Sequence, residues 1–303
     1  MTLRTGSGIV VFILLAALLA GLLLIARRGQ ARNFLDPKEP VFTGRGIERA
    51  VAARVPGQEI RFAVVSFNVH FGYAAGDIVP TLRANGMDKA DIFLLQESNE
   101  RTAREVAAGL GAAWVYYPAT VHPASHDLFG VAILSRWPIV AHRKILLPDR
   151  SYFDAARKAA MTAVIDLGGA SIQVINVHLQ SGMLARGYRA QLSRVLACAT
   201  QNECEGDREP KVLPPASALV IGGDFNTWNG GLGDILSAVM SGASLRQVEG
   251  IEGTFSKDPT ETTPKNTFDY FFASPQILAG PGRAGTVRTG SDHWPIEAVF
   301  RIP

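Results

Sequence analysis

Five short stretches of this 303-residue chain end an apolar run on side chains that bind hard metal ions or move protons. They are Ser66-Phe67-Asn68-Val69-His70, Leu94-Leu95-Gln96-Glu97, Ile175-Asn176-Val177-His178, Ile221-Gly222-Gly223-Asp224-Phe225-Asn226 and Ser291-Asp292-His293-Trp294-Pro295. In the last, an acid followed at once by a histidine can hold a cation with one side chain and meet a phosphate with the other, and Pro295 fixes the backbone beyond them. Taken singly, each has a structural reading. Asn68 can cap a turn, Glu97 can sit at a helix start before Asn99-Glu100, and Asp224 with Asn226 can make an Asx-turn. Taken together they point to chemistry. Glu97, Asp292, Asn68, Asp224 and Asn226 all offer oxygen, the donor Mg²⁺ requires, and such an ion keeps waters and needs few protein ligands. His178 and His293 stand on motifs beside that set. In phosphate-ester hydrolysis these parts supply a charge clamp, an activated water and a donor for developing negative charge.

To converge, these side chains need strands that end together. Apolar runs at Phe62-Phe67, Ile92-Leu95, Val131-Leu134, Ala163-Ile165, Ile172-Val177, Ala218-Ile221, Tyr270-Phe272 and Ala298-Phe300 are bounded by Gly, Pro, Asn or Asp, as buried strands are. Helical patterns cover Asp77 to Ala84, Glu100 to Leu110 and Met183 to Ala199. Strands outnumber helices and several follow one another, which predicts an α/β fold of two packed mixed β-sheets with outer helices rather than an alternating parallel sheet. Gly280 to Gly290 reads as an ordinary loop. No internal repeat or low-complexity segment is visible.

The N-terminus is different. Residues 9–26 carry no charge and no proline, and as a helix they rise roughly 27 Å, about a bilayer's hydrocarbon thickness. The expected organisation is therefore a tail at 1–8, a transmembrane helix at 9–26, a linker with little structure at 27–59 and a catalytic domain at 60–303. A cleaved signal peptide is the rival, but no small-x-small site precedes Arg27-Arg28. Basic residues after the span lean toward a cytoplasmic domain. The two cysteines, Cys198 and Cys204, lean the other way if they form a small disulfide; two unlinked thiols is the equal reading. A zinc site is unsupported, since no histidine lies near them in sequence. Arg4, Arg27, Arg28 and Arg32 precede Asn33 and no acid does, so of 30 basic and 27 acidic residues the remainder nets minus one. That balance argues against an enzyme dedicated to duplex nucleic acid.

The ordered series SFNVH, LLQE, GVAILSRWP, NVHLQ, GDFN, FDYFF and SDHWP resembles the endonuclease/exonuclease/phosphatase superfamily, over roughly Ile60 to Phe300. The resemblance implies a four-layered α/β sandwich and Mg²⁺-dependent attack of water on a phosphoester, with Mn²⁺ as an alternative ion. It implies that Glu97 is the main metal carboxylate, supported by Asn68 and Asp292. Asp224 is then the residue that orients or deprotonates the water, and Asn226 helps hold the phosphate. His293, oriented by Asp269, and His178 contact the phosphate. An Asp–His pair fixes the ring tautomer and raises its basicity, so Asp269 and His293 need each other. Against the family pattern, His178 replaces the tyrosine of abasic-site nucleases, and His70 stands where some nucleases carry a carboxylate. His126 faces the site or caps a loop; His122 and His142 read as surface or packing residues. Of the tryptophans 114, 137, 228 and 294, Trp228 is best placed to line a cleft. The expected substrate is a phosphodiester near the bilayer, such as a phospholipid head group, acted on by a monomer. A nuclease is second, a phosphomonoesterase third, and a tethered binding protein without turnover is the reading from another class.

Overall fold

The computed structural model describes residues 13–16, 31–47, 58–72, 74–123, 125–151, 155–201 and 213–303. The strands are β1 (Arg32–Asn33), β2 (Phe42–Gly44), β3 (Ile60–Asn68), β4 (Ile92–Ser98), β5 (Ala113–Val121), β6 (Leu128–Ser135), β7 (Ile139–Leu146), β8 (Ala159–Asp166), β9 (Ser171–His178) and β10 (Ala218–Asp224). They continue with β11 (Arg246–Gln247), β12 (Asp269–Ala273), β13 (Leu278–Ala279), β14 (Arg283–Ala284) and β15 (Ile296–Ile302). The helices are α1 (Ala75–Ala84), α2 (Glu100–Leu110), α3 (Ala185–Gln201) and α4 (Gly230–Gly242).

Alternation of apolar residues along the strands generates the layers, because successive side chains point to opposite faces. Val64, Leu94 and Ile133 of one sheet meet Met161, Val174, Val220 and Phe271 of the other in a continuous buried core. The opposite parity packs outward. Val65, Phe93 and Leu95 lie under Ile78 and Leu82 of α1 and Val106 of α2, while Ile175, Val177 and Ile221 lie under Leu192 and Val195 of α3 and Leu236 of α4. Helix, sheet, sheet, helix is the expected sandwich. The first sheet runs β1-β5-β6-β4-β3-β15-β13, with β2 also on β5 and β14 on β15; the second runs β11-β12-β10-β9-β8-β7. Both are mixed: β3 pairs parallel with β4, and β9 with β10, among antiparallel neighbours.

Several elements escaped the sequence reading for identifiable reasons. β5 carries Pro118 in its interior, which argues against a strand; the chain accommodates it at a register shift between Pro118 and Thr120. β7, the edge of its sheet, was hidden by His142-Arg143-Lys144, which interrupt its apolar run although Arg143 and Lys144 are buried. α4 is glycine-rich, and its start is fixed by Asn229, whose side chain accepts from Leu232 N. The Gly280–Gly290 stretch is not wholly loop, since β14 pairs with β15. Nor is the segment before residue 60 free of structure: β1 and β2 both add to β5. Lys144 of β7, fully buried, donates to the carbonyls of Phe34, Glu39 and Pro118 at 3.2–3.4 Å and so ties that segment down.

The expected membrane span at 9–26 lies outside the described residues apart from residues 13–16. Among the described residues no helix is long and apolar enough to cross a membrane. Cys198 is buried and disulfide-bonded, which decides between the two readings of that thiol; Cys204 lies outside the described residues.

Candidate active site

The polar residues named from the sequence sit where the strands of both sheets end. In the second sheet Asp224 is flanked on both sides at one level, by His178 in the parallel register with β9 and by Asp269 in the antiparallel register with β12. All three share parity with the core residues Val174, Val220 and Phe271, so they face the first sheet. From that sheet Asn68 shares parity with Val64 and faces back. The His293 backbone pairs with Phe255, and its ring stands edge-on to that phenyl at 4.9 Å.

Asp224 is the hub. Its Oδ2 accepts from Asn68 Nδ2 and Asn226 Nδ2, both at 3.0 Å, and its Oδ1 accepts from the Asn226 backbone N at 2.9 Å. The Nε2 atoms of His178 and His293 lie 3.6 and 3.8 Å from the same Oδ2. Burial pushes the Asp224 carboxyl up to about 7, against the pull of His293. His293 moves the opposite way from a usual buried imidazole: burial disfavours its charge, but Asp269 and Asp224 overcome this and raise it to about 10. The Asp269 contact is short, 2.8 Å from Oδ2 to His293 Nδ1. His178 is held neutral, well below its ordinary value, by burial and by the charges of Lys158 and His293. Its 3.6 Å approaches to Glu97 and Asp224 are therefore contacts of a neutral ring, and its buried Nε2 has no hydrogen-bond partner.

Glu97 reaches this place against the alternation of its strand. Gln96 shares parity with Leu94 and faces the other sheet, so Glu97 should point outward with Leu95 toward the helices. Between Leu95 and Ser98 the pairing of β4 with β6 shifts register, and Glu97 adopts a left-handed backbone, φ 53°. That bulge turns the carboxylate inward, to 3.6 Å from His178 Nε2 and 3.4 Å from Lys158 Nζ. Asp292 lies beside Asn68 through a shared neighbour. His70 donates its backbone N to Asn68 Oδ1 at 3.1 Å, and its Nδ1 meets Asp292 Oδ1 at 3.0 Å. This contact raises His70; on Asp292, where burial acts upward, the same bond and the nearby histidine charges bring the carboxyl below its usual range.

The sequence reading assigned ligands to Asn68, Glu97 and Asp292, and these three offer oxygen alone, the donor set for a hard divalent ion. Among the described residues, the side chains grouped most tightly for metal ligation are instead Asp224, Asp269 and His293, with ligand atoms within 4.8 Å of one another. Within that group Asp269 and His293 are already bonded to each other. Asn226 also differs from expectation. Its amide is engaged by Asp224, by Leu179 O at 3.0 Å and, at Oδ1, by Trp228 Nε1 at 2.9 Å, leaving little of it to meet a phosphate. Trp228 does border the site, 42% exposed, against Phe255 and Phe268 and beneath Lys257. His126 is exposed in a turn closed by its N to His122 O, and the His122 ring packs on Phe71 and Phe129. His142 bonds the Tyr117 hydroxyl away from the site. Lys158, just before β8, was missed; no motif surrounds it, and only the sandwich brings it over Phe129 and against Glu97.

The profile described as the Endonuclease/Exonuclease/phosphatase family matches residues 65–293. Solved structures similar to the chain include an endonuclease/exonuclease/phosphatase from Beutenbergia cavernae DSM 12333, with a TM-score of 0.60 and 20% identity over 80% of this chain and 72% of that one. Sphingomyelinase C from Streptomyces griseocarneus gives 0.57 and 16% over 79% and 99%, and D. rerio TDP2 complexed with single-strand DNA product gives 0.58 and 16% over 79% and 98%. At these identities the likeness concerns the fold. No curated protein matches the chain.

Proposed function

The chain belongs to the endonuclease/exonuclease/phosphatase family and is a metal-dependent phosphoester hydrolase; we propose that it cleaves a phosphodiester at a membrane surface, with Asp224 activating the water. The observation that carries this reading is the convergence on Asp224 of one neutral and one cationic imidazole, His178 and His293. A carboxylate whose pKa is near 7 is matched to taking a proton at neutral pH. Asn68 and Asn226 hold its oxygens in place. The imidazolium of His293, kept charged by Asp269, faces the same space and stabilises negative charge on the phosphoryl oxygens or the leaving group. The orphaned Nε2 of buried His178 is a polar atom awaiting a partner, which a phosphate oxygen supplies when this nitrogen carries the proton.

Glu97 and Asp292, with Asn68 joined to Asp292 through His70, are the residues that would hold the cation, Mg²⁺ or Mn²⁺. When bound it neutralises phosphate charge and polarises the ester. The oxygen-only donor set supports this choice over the Asp224, Asp269 and His293 grouping, where the dyad's own 2.8 Å bond consumes two of the three groups.

For the membrane we rely on the uncharged, proline-free stretch at 9–26. The 31–47 segment that follows is strapped onto β5, which would keep the catalytic domain close to the bilayer. The Cys198 disulfide supports an oxidising compartment over the cytoplasm. Exposed Trp228, bonded to Asn226, gives the rim of the site an apolar contact suited to lipid. The competing reading is a nuclease, favoured by the likeness to TDP2, solved with single-strand DNA product. Sphingomyelin and phosphatidylcholine vesicles, supercoiled plasmid, single-strand DNA and an aryl phosphomonoester, each with Mg²⁺ and with chelator, separate the two. Chelator-sensitive lipid hydrolysis is expected. Cleavage of nucleic acid without any lipid turnover would overturn the proposed substrate.

A further inference from the structure

The bulge that turns Glu97 inward is unusual in being braced from the opposite sheet. Asn176 of β9 reaches across the sandwich and donates Nδ2 to the carbonyls of Leu95 at 2.9 Å and Ala132 at 2.8 Å, the last regular pair of β4 and β6 before the register shift. Its Oδ1 accepts from Gln96 Nε2 at 2.7 Å, and that nitrogen also lies 3.0 Å from Ser66 Oγ on β3. Both amides are fully buried. The arrangement is costly, because Gln96 Oε1 is left buried without a hydrogen-bond partner, a loss of about 1–3 kcal/mol. Apolar residues at 96 and 176 would continue the core made by Leu94 and Val174 on the same parity. Core packing alone therefore does not account for Gln96, and what Asn176 supplies is bonds to two backbone carbonyls where the regular pairing of β4 ends.

We infer that Asn176 and Gln96 are positioning residues, an inter-sheet clamp that fixes the β4 bulge and thereby aims the Glu97 carboxylate at the metal position. Neither amide touches the Glu97 carboxylate; they act through the β4 backbone just before Glu97 and through its β6 partner Ala132. Without the clamp, the strand's own alternation favours returning Glu97 toward the helices, since a left-handed glutamate is strained and needs outside support. This inference rests on the reading of Glu97 as a metal ligand.

The test measures Mn²⁺ binding directly, by the electron paramagnetic resonance signal of the free ion, on the full chain. Gln96→Met and Asn176→Leu are each expected to weaken Mn²⁺ binding by about tenfold or more, as loss of a group that orients a ligand does. For an aryl phosphodiester, KM at saturating Mn²⁺ should stay near that of the parent. Gln173→Leu is the control: this buried amide on the same strand bonds Thr162 and reaches no part of the β4 bulge among the described residues, so the change lowers stability without weakening Mn²⁺ binding. If both clamp variants fold and bind Mn²⁺ within about twofold of the parent, the inference is wrong. Should Asn176→Leu fail to fold, Gln96→Met decides alone, since it keeps the side-chain length and leaves in place the two bonds from Asn176 to the backbone carbonyls. Glu97→Gln separates the two claims: no weakening there removes the metal-site reading, and the clamp falls with it, whereas weakening there but not in the clamp variants removes the clamp alone.

Discussion

Asp224 and His293 have pKa values displaced in a way that suits their work: burial raises Asp224, whereas Asp269 and Asp224 raise His293 against its burial. Asp224 acts as a base only when ionised, so turnover is expected to fall as pH drops through about 7, and full activity at pH well below that value would rule out the role. His293 stays cationic up to about 10; Asp269→Asn removes a major source of that support and should draw the alkaline limb of the rate profile downward. Asp224→Asn and His293→Ala are each expected to lower kcat by at least about a hundredfold with an unchanged circular dichroism spectrum. An undiminished kcat in either variant refutes its assignment.

At the level of elements, the strap formed by β1 and β2 depends on Lys144. Burial lowers this lysine from its ordinary 10.5 to about 8 although it faces three carbonyls and is drawn upward by Asp36 and Glu39. Between those two pH values the unfolded chain binds more protons than the folded one. The contribution to stability is thus complete above 10.5 and is lost as pH falls toward 8. Lys144→Met should abolish this part of the pH dependence, read as the difference in melting temperature between parent and variant from pH 8 to 10.5. Parallel melting curves across that range would refute it.

For the whole molecule the spacing of the two sheets decides whether the site exists, since Glu97 and Asn68 come from one and Asp224, Asp269 and His178 from the other. Gly222 sets part of that spacing. A Cβ there would stand 2.4 Å from the Phe271 ring and 3.0 Å from Leu94 of the facing sheet. Gly222→Ala is expected to cost about 1–3 kcal/mol through overpacking and to lower activity together with stability. A variant of parental melting temperature and parental kcat would show that the spacing is not held at this point. The sequence by itself determined the donor types, the strand ends that carry them and the layered class of fold, because strand alternation and turn chemistry are local and leave their mark in a few consecutive residues. Only the tertiary structure decided that Glu97 turns against its strand's parity, that Asn226 donates to Leu179 O, that Asp292 pairs with His70, and that Lys158 arrives at all. Each of those outcomes depends on a neighbour far away in the chain, and a pKa set by burial has no value until that neighbour is in place.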